Sequence, residues 1–197
     1  MRKLVYYIAV SLDGYIAGPD GEVDAFLYDG DHMPWLVEHY PETIPGHVRG
    51  ALGLAETPPR AFDTVILGRA THQVAVDEGL TGGYPHLRQV VVTHHPGDLP
   101  PEQGLTTTDD PVAAVRALKA ETPADGTAPL DIWLCGGGDL AGQLAGEIDE
   151  VRLKINPVLF GAGRPLVAGG YSPRALVPGM RREFESGVVY AEYAVRR

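Results

Sequence analysis

Cysteine is nearly absent: Cys135 is the only one in 197 residues. No disulfide can close within the chain and no Cys-rich zinc site can assemble, a usage that suits the reducing cytoplasm. Positive charge is scarce too, with 16 Lys+Arg against 26 Asp+Glu and a formal net charge of −10. A surface of that sign has little hold on nucleic-acid phosphates or anionic lipid, so neither is expected as a partner. Long apolar runs are missing, none approaching the roughly 18 residues of a membrane helix. Met1-Arg2-Lys3 and the apolar stretch behind it imitate a secretory signal. The run, however, meets Ser11-Leu12-Asp13-Gly14 with no small-residue cleavage site, and it reads as a strand of a soluble, cytoplasmic protein. The seven histidines show no H-x-x-x-H spacing, and no metal site is expected. No serine stands in a G-x-S-x-G elbow, and Cys135 reads as a small buried thiol rather than a nucleophile.

What is present is a globular composition, 44% hydrophobic and 21% charged, with enough length for one substantial core and no internal repeat. A single domain over 1–197 is expected. Short β-branched apolar runs predict strands over 3–10, 63–67, 89–93, 130–135 and 150–156. Their nearly unbroken apolarity suits strands covered on both faces. Asp110-Pro111 ahead of apolar residues at 112, 115 and 118 predicts an N-capped helix, and Leu140, Leu144 and Ile148 mark a second over 139–147. Strand–helix alternation of this kind implies an α/β fold on a mostly parallel sheet. Beyond Pro157, short strands over 174–177, 180–185 and 188–196, joined at Pro-Gly and Ser-Gly turns, predict an antiparallel addition. Residues 26–60 carry Pro34, Pro41, Pro45, Pro58 and Pro59, which break any long helix.

The chemistry-bearing residues gather where predicted strands end. Gly136-Gly137-Gly138-Asp139-Leu140 lies between a strand and a helix, a place where glycines let a backbone approach a pyrophosphate. The same residues would also serve a plain tight turn. No acidic residue follows about 20 positions on, which separates the motif from a Rossmann fingerprint. Gly68-Arg69-Ala70-Thr71 offers a close approach, a guanidinium fork and a hydroxyl after another strand, or simply a helix start with a surface arginine. A third strand end carries Thr93, His94 and His95, the two histidines pointing to opposite sides if the strand continues through them. Ligands of open α/β sheets bind at such carboxyl ends.

Taken in order, Ser11-Leu12-Asp13-Gly14-Tyr15-Ile16-Ala17, Gly68-Arg69-x-Thr71, Gly136-Gly137-Gly138-x-Leu140 and the run from Ile148 through Asn156-Pro157 to Gly161-x-Gly163 resemble the dihydrofolate reductase-like superfamily. The branch they are most similar to contains the C-terminal reductase domain of bacterial riboflavin biosynthesis enzymes. The resemblance implies a three-layer α/β/α fold, a mostly parallel mixed sheet with an antiparallel C-terminal hairpin, and bound NADPH. It implies that Ala9, Ile16 and Ala17 line the nicotinamide, and that Gly68, Arg69 and Thr71 hold phosphates of the adenosine half. Thr93 and His94 would lie near the 2′-phosphate, and Gly136, Gly137, Gly138, Asp139 and Leu140 would take the pyrophosphate. The implied activity is hydride transfer to a small heterocycle, pterin-like or a ribosylaminopyrimidine as in 5-amino-6-(5-phosphoribosylamino)uracil reductases, by a homodimer. The other reading is a nucleotide-binding module without turnover.

The catalytic residues are less settled by the motifs. Asp24, Asp29, Asp31 and Glu38 are acids within reach of Phe26 and Trp35, Asp24 standing where this branch often carries one; each is equally a solvated loop charge. Lys154, alternating with Val151, Leu153 and Ile155, points either toward substrate or to an exposed strand face. The segment 188–195 is expected to form an exposed apolar hairpin that pairs subunits.

Overall fold

The computed structural model describes residues 1–99, 104–122 and 128–196. Its centre is an eight-stranded sheet. The strands are β1 (Leu4–Ser11), β3 (Phe62–Gly68), β4 (Arg88–Val92), β5 (Leu105–Thr108), β6 (Asp131–Gly136), β7 (Glu150–Asn156), β9 (Leu176–Glu183) and β10 (Val189–Val195). Spatial order is β5-β4-β3-β6-β1-β7-β10-β9. Every pairing from β5 to β7 is parallel, while β7–β10 and β10–β9 are antiparallel. A small accessory ladder joins β2 (Tyr15–Ala17) to β8 (Arg164–Pro165).

Strict alternation along the central strands divides the core in two. Val5 and Tyr7 of β1, Val65 and Leu67 of β3, and Trp133 and Cys135 of β6 face one side, with Trp35 and Leu36 of α1 (His32–His39), Tyr40, Phe62 and Tyr190. Leu4, Tyr6, Ile66, Ile132 and Leu134 face the other, under Val115 and Leu118 of α4 (Pro111–Ala120) and Leu140 of α5 (Gly138–Gln143). Because both faces are covered, β1 and β6 carry no polar stripe, whereas β7 presents Glu150, Arg152, Lys154 and Asn156 on one face. The cap of α4 forms as its sequence predicts, Asp110 Oδ1 accepting from Ala113 N at 2.9 Å. The last predicted helix is shorter than its apolar spacing: α5 stops at Gln143 and turns follow, while Leu144 and Ile148 remain buried.

Two expectations for the C-terminal region are corrected. The predicted strands over 174–177 and 180–185 are one strand, β9, running through Pro178 and Gly179 with a register shift opposite β10 between Ala191 and Tyr193. Proline is tolerated there because β9 is the sheet edge, where a missing N–H costs no ladder bond. The antiparallel C-terminal hairpin forms, from β9 and β10, but the segment 188–195 is not its exposed part. It becomes β10, an interior strand between β7 and β9, with Val188, Tyr190 and Ala191 buried. The exposed apolar edge is β9, where Leu176, Val177 and Met180 are 42%, 41% and 44% exposed.

The proline-rich stretch folds as short pieces: α1, a 3₁₀ turn over Pro41–Thr43, and α2 (Gly46–Arg49). Pro34 falls in the first turn of α1, where no N–H is required of it. Two buried charges hold this wall. Glu42 accepts from the backbone N–H groups of Ala61 and Phe62 at 2.8 Å, and Arg49 donates to the carbonyls of Pro41, Leu54 and Thr57. A third helix, α3 (Arg69–Asp77), leaves the end of β3 directly. Among the described residues no helix is long and apolar enough to cross a membrane.

Candidate functional site

All parallel strands present their carboxyl ends to one edge, and the loops there enclose two clefts. The first, of about 580 Å³, is lined by Gly68, Arg69, Ala70 and Thr71 from the β3–α3 junction and by Thr93, His94 and His95 beyond β4. Gly137, Gly138, Asp139 and Leu140 from the β6–α5 junction line it too, together with Asp109 and Arg164. β3 and β6 are direct neighbours, which is why two motifs far apart in sequence meet. Thr93 and His94 join them because β4 pairs with β3. His95 borders the same cleft as His94: β4 ends at Val92, so strand alternation does not govern the pair.

The glycines are placed for close approach. A Cβ on Gly137 would stand 3.8 Å from Ile16 Cδ1 and 3.9 Å from Thr71 Oγ1, inside the space between the first loop and α3. Gly136 has φ 126°, a conformation that side chains disfavour. Gly138 is needed for packing, since a Cβ there would meet the Pro165 carbonyl oxygen at 2.2 Å. Arg69 brings a buried Nη1 that has no hydrogen-bond partner among the described residues. A buried guanidinium nitrogen without an acceptor is costly, and an anion in this cleft would supply one. Arg164, a second cation here, was not legible as a site residue; the pairing of β8 with β2 brings it in. Asp109 and Asp139 set the opposite charge on the same walls.

The second cleft, of about 600 Å³, opens beside β1 and β7. Tyr7, Ala9, Lys154 and Asn156 form its floor, and Phe26, Leu27, Met33, Leu36, Ile44 and Val48 are among its walls. A smaller hollow of about 160 Å³ lies between the clefts, sharing Pro45 and His47 with the second and Thr71 with the first. Ala9 thus lies on the floor of the second cleft. Ile16 and Ala17 are buried on β2, Ile16 reaching toward Gly137.

Lys154 faces Ala9 across the β1–β7 ladder, and its ammonium lies 4.6 Å from the centroid of the Tyr7 ring. The ammonium makes no hydrogen bond or ion pair among the described residues, although the Lys154 carbonyl accepts from Asn156. Burial lowers its pKa to about 8. Tyr7 is buried, its hydroxyl has no hydrogen-bond partner among the described residues, and burial drives its acidity far below that of an ordinary phenol. Thr43, nearby, gives its own hydroxyl to the Tyr40 carbonyl at 2.9 Å. Behind this floor the Cys135 thiol is pushed up to about 11, chiefly by burial. Tyr7 was hidden in the sequence as one more aromatic in an apolar strand.

The acids considered from sequence are dispersed. Asp24 is exposed and lines neither cleft: residues 19–24 run along the surface before Phe26 turns inward. Asp31 accepts from the N–H groups of Glu185 and Ser186 at 2.7 and 3.0 Å, clamping the start of α1 to the β9–β10 turn. Asp29 and Glu38 also lie outside both linings. Asp13, by contrast, ties the first loop to the 158–163 loop. It accepts from Ser11 Oγ at 2.6 Å and from Gly161 N at 2.7 Å, and these bonds hold its carboxyl down to about 2. Among the described residues no group of His, Cys, Asp or Glu is arranged to hold a metal ion.

Comparison with known proteins points one way. The family described as the RibD C-terminal domain matches residues 2–189. "Uncharacterized protein YwjB" of Bacillus subtilis (strain 168) is 33% identical over 169 residues, covering 84% of this chain and 82% of that one. Of solved structures, a pyrimidine reductase-like protein from Corynebacterium diphtheriae is similar with a TM-score of 0.57 at 13% identity, covering 100% of this chain and 92% of that one. Dihydrofolate reductase from Enterococcus faecalis, complexed with NADP(H), is similar with a TM-score of 0.54 at 18% identity, covering 99% and 97%. At those identities the two structures speak for the fold, a dihydrofolate reductase-like one.

Proposed function

The chain belongs to the RibD C-terminal domain family, and on that premise we propose that it is an NADPH-dependent reductase of a small organic acceptor, heterocyclic or carbonyl-bearing. The observation that carries this reading is the Nη1 of Arg69, unpartnered among the described residues, in a cleft that Gly137 and Gly138 also line. Arg69, with Thr71 beside it, would take phosphate oxygens of the adenosine half. Thr93 and His94 border the same cleft, and the turn from Gly136 to Leu140, which lines it from Gly137 onward, would receive the pyrophosphate. The residues present fit this group, Asp109 and Asp139 excepted, whose charge opposes it. When bound, NADPH supplies hydride from its nicotinamide, which Ala9, Ile16 and Ala17 would line, Ala9 from the floor of the second cleft and Ile16 from beside Gly137.

The protein's own contribution is orientation and a proton. Acceptor seated on the Tyr7–Lys154 floor would be shielded from water by the walls of residues 26–52. Lys154, with its pKa near 8, is the proton source of this cleft, poised close to working pH. Asp24, exposed and outside both linings, is given no part in this proton transfer. The protein would work as a cytoplasmic homodimer. Supporting the pairing is an apolar hollow of about 420 Å³ beside the exposed β9 edge, lined by Ile148, Val151, Leu153, Leu166 and Val195.

Titration with NADPH, followed by heat and by melting temperature, tests the reading. At a hundredfold excess over Kd a cofactor stabilises by about 2.7 kcal/mol, a rise on the order of 5–10 °C. NADPH binding together with oxidation of NADPH by one of a panel of pterins, pyrimidines and carbonyl compounds is the expected result. Binding with no turnover across the panel returns the nucleotide-binding module; no binding sinks both.

A further inference from the structure

The polar side chains lining the second cleft are almost all engaged. His32 uses one ring nitrogen toward Ser186 Oγ and the other toward the Leu27 carbonyl. Asn156 accepts from Leu27 N and donates to the Lys154 carbonyl. The hydroxyls of Thr43 and Tyr28 donate to the carbonyls of Tyr40 and Val23. What remains inside is the Tyr7 hydroxyl, buried and unpartnered, and the Lys154 ammonium, with exposed His47 at the rim. Among the described residues neither a carboxylate nor an arginine stands in the lining.

We propose that this cleft takes an unphosphorylated, largely apolar molecule bearing one carbonyl or carboxylate oxygen, which the Tyr7 hydroxyl and the Lys154 ammonium receive together. The inference rests on the reductase reading in taking this molecule to be the hydride acceptor. One oxygen carries two lone pairs, and the floor offers two donors on adjacent strands. The apolar walls favour the rest of the molecule by removing its surface from water. A phosphoribosyl tail has no place here: a phosphate dianion needs several charged donors, and a single ammonium among Leu27, Leu36, Ile44 and Val48 leaves it undersolvated. A protonated pterin or diaminopyrimidine is equally unsuited, because its cationic amidine would be buried without a carboxylate. Both heterocycles expected from the family resemblance are thereby disfavoured for this chain.

Calorimetric titration of the full chain with 2-naphthoate and with 2-acetylnaphthalene tests the proposal. Both are expected to bind, and Tyr7→Phe and Lys154→Met are each expected to weaken binding tenfold or more, Lys154→Met most for the carboxylate. Tyr7→Phe keeps the ring that packs on Tyr40, so loss of binding in that variant reports the hydroxyl. Competition against bound 2-naphthoate supplies the opposing arm. Uridine 5′-monophosphate or 2,4-diaminopyrimidine displacing it more potently than 2-acetylnaphthalene overturns the proposal. So does failure of both naphthalenes to bind, or equal binding by the variants. Binding of NADPH is measured alongside: naphthalene binding through Tyr7 and Lys154 without NADPH binding would sink the reductase and leave the ligand class standing. The reverse pattern would do the opposite.

Discussion

The Lys154 ammonium stands 4.6 Å from the centroid of the Tyr7 ring, on the strand next to it, with no anion paired to it among the described residues. The ring face offers a modest electrostatic attraction, much less than a carboxylate would. Burial therefore wins, and the side chain gives up its proton near pH 8 rather than near 10.5. Between those values the unfolded chain binds more protons than the folded one, so this group's contribution to stability rises with pH across that window. Below 8 it is a constant cost. Lys154→Met is accordingly expected to stabilise the protein at pH 7 by roughly 1–3 kcal/mol, with the gain fading by pH 10. Denaturant midpoints of both proteins at the two pH values check this. Turnover, where Lys154 gives the proton, should fall as pH rises through about 8.

Arg69→Ala removes the guanidinium with the unpartnered Nη1. NADPH affinity should drop by roughly 1–3 kcal/mol while NADH affinity barely changes, because only NADPH carries the extra phosphate. Parallel titrations with the two nucleotides decide, and equal losses would show that Arg69 does not distinguish them.

The glycines of the β6–α5 junction should separate by role. At Gly137 a methyl group makes ordinary contacts with Ile16 and Thr71, so Gly137→Ala should melt near the parent temperature while binding NADPH at least tenfold more weakly. At Gly138 the methyl would lie 2.2 Å from the Pro165 carbonyl oxygen, and Gly138→Ala should lose roughly 1–3 kcal/mol of stability. Melting curves and NADPH titrations on both variants distinguish the two effects.

Cys135 is buried and its thiol is raised to about 11. It should stay unreactive toward an aromatic disulfide reagent at pH 8 and be released only by denaturant, since the thiolate is the reacting form. Rapid labelling of the native protein would show that the floor of the second cleft opens to solvent.

If the β9 edge pairs subunits, Met180→Lys, which places a charge on that exposed strand, should shift the protein toward monomer. Sedimentation at several concentrations reads the outcome, and an unchanged distribution would move the interface elsewhere.

The central strands were legible because their cause is local and periodic: β7 has the bounds its apolar run predicts, and β1 and β6 are each displaced by one residue. Asp110 and Pro111 announce α4 in the same way. Residues 26–60 were illegible since no periodicity holds them. Their order comes from single buried groups, Glu42 and Arg49, bonding to backbone far along the chain. The merging of two expected strands into β9 turned on Pro178 lying at a sheet edge, a fact about neighbours.

For the site, the sequence by itself determined which residue types stand at the strand ends: Gly68-Arg69, Thr93-His94, Gly136 to Gly138. Chain ends of parallel strands can only be loops, and loops with glycine and cation are visible as such. Strand order, decided in the tertiary structure, brought these loops into one cleft by placing β6 between β3 and β1. It also put Tyr7 beneath Lys154 and left Asp24 on the surface. Those relations depend on pairing and burial between distant segments, and a linear pattern carries no information about the dielectric a side chain will meet.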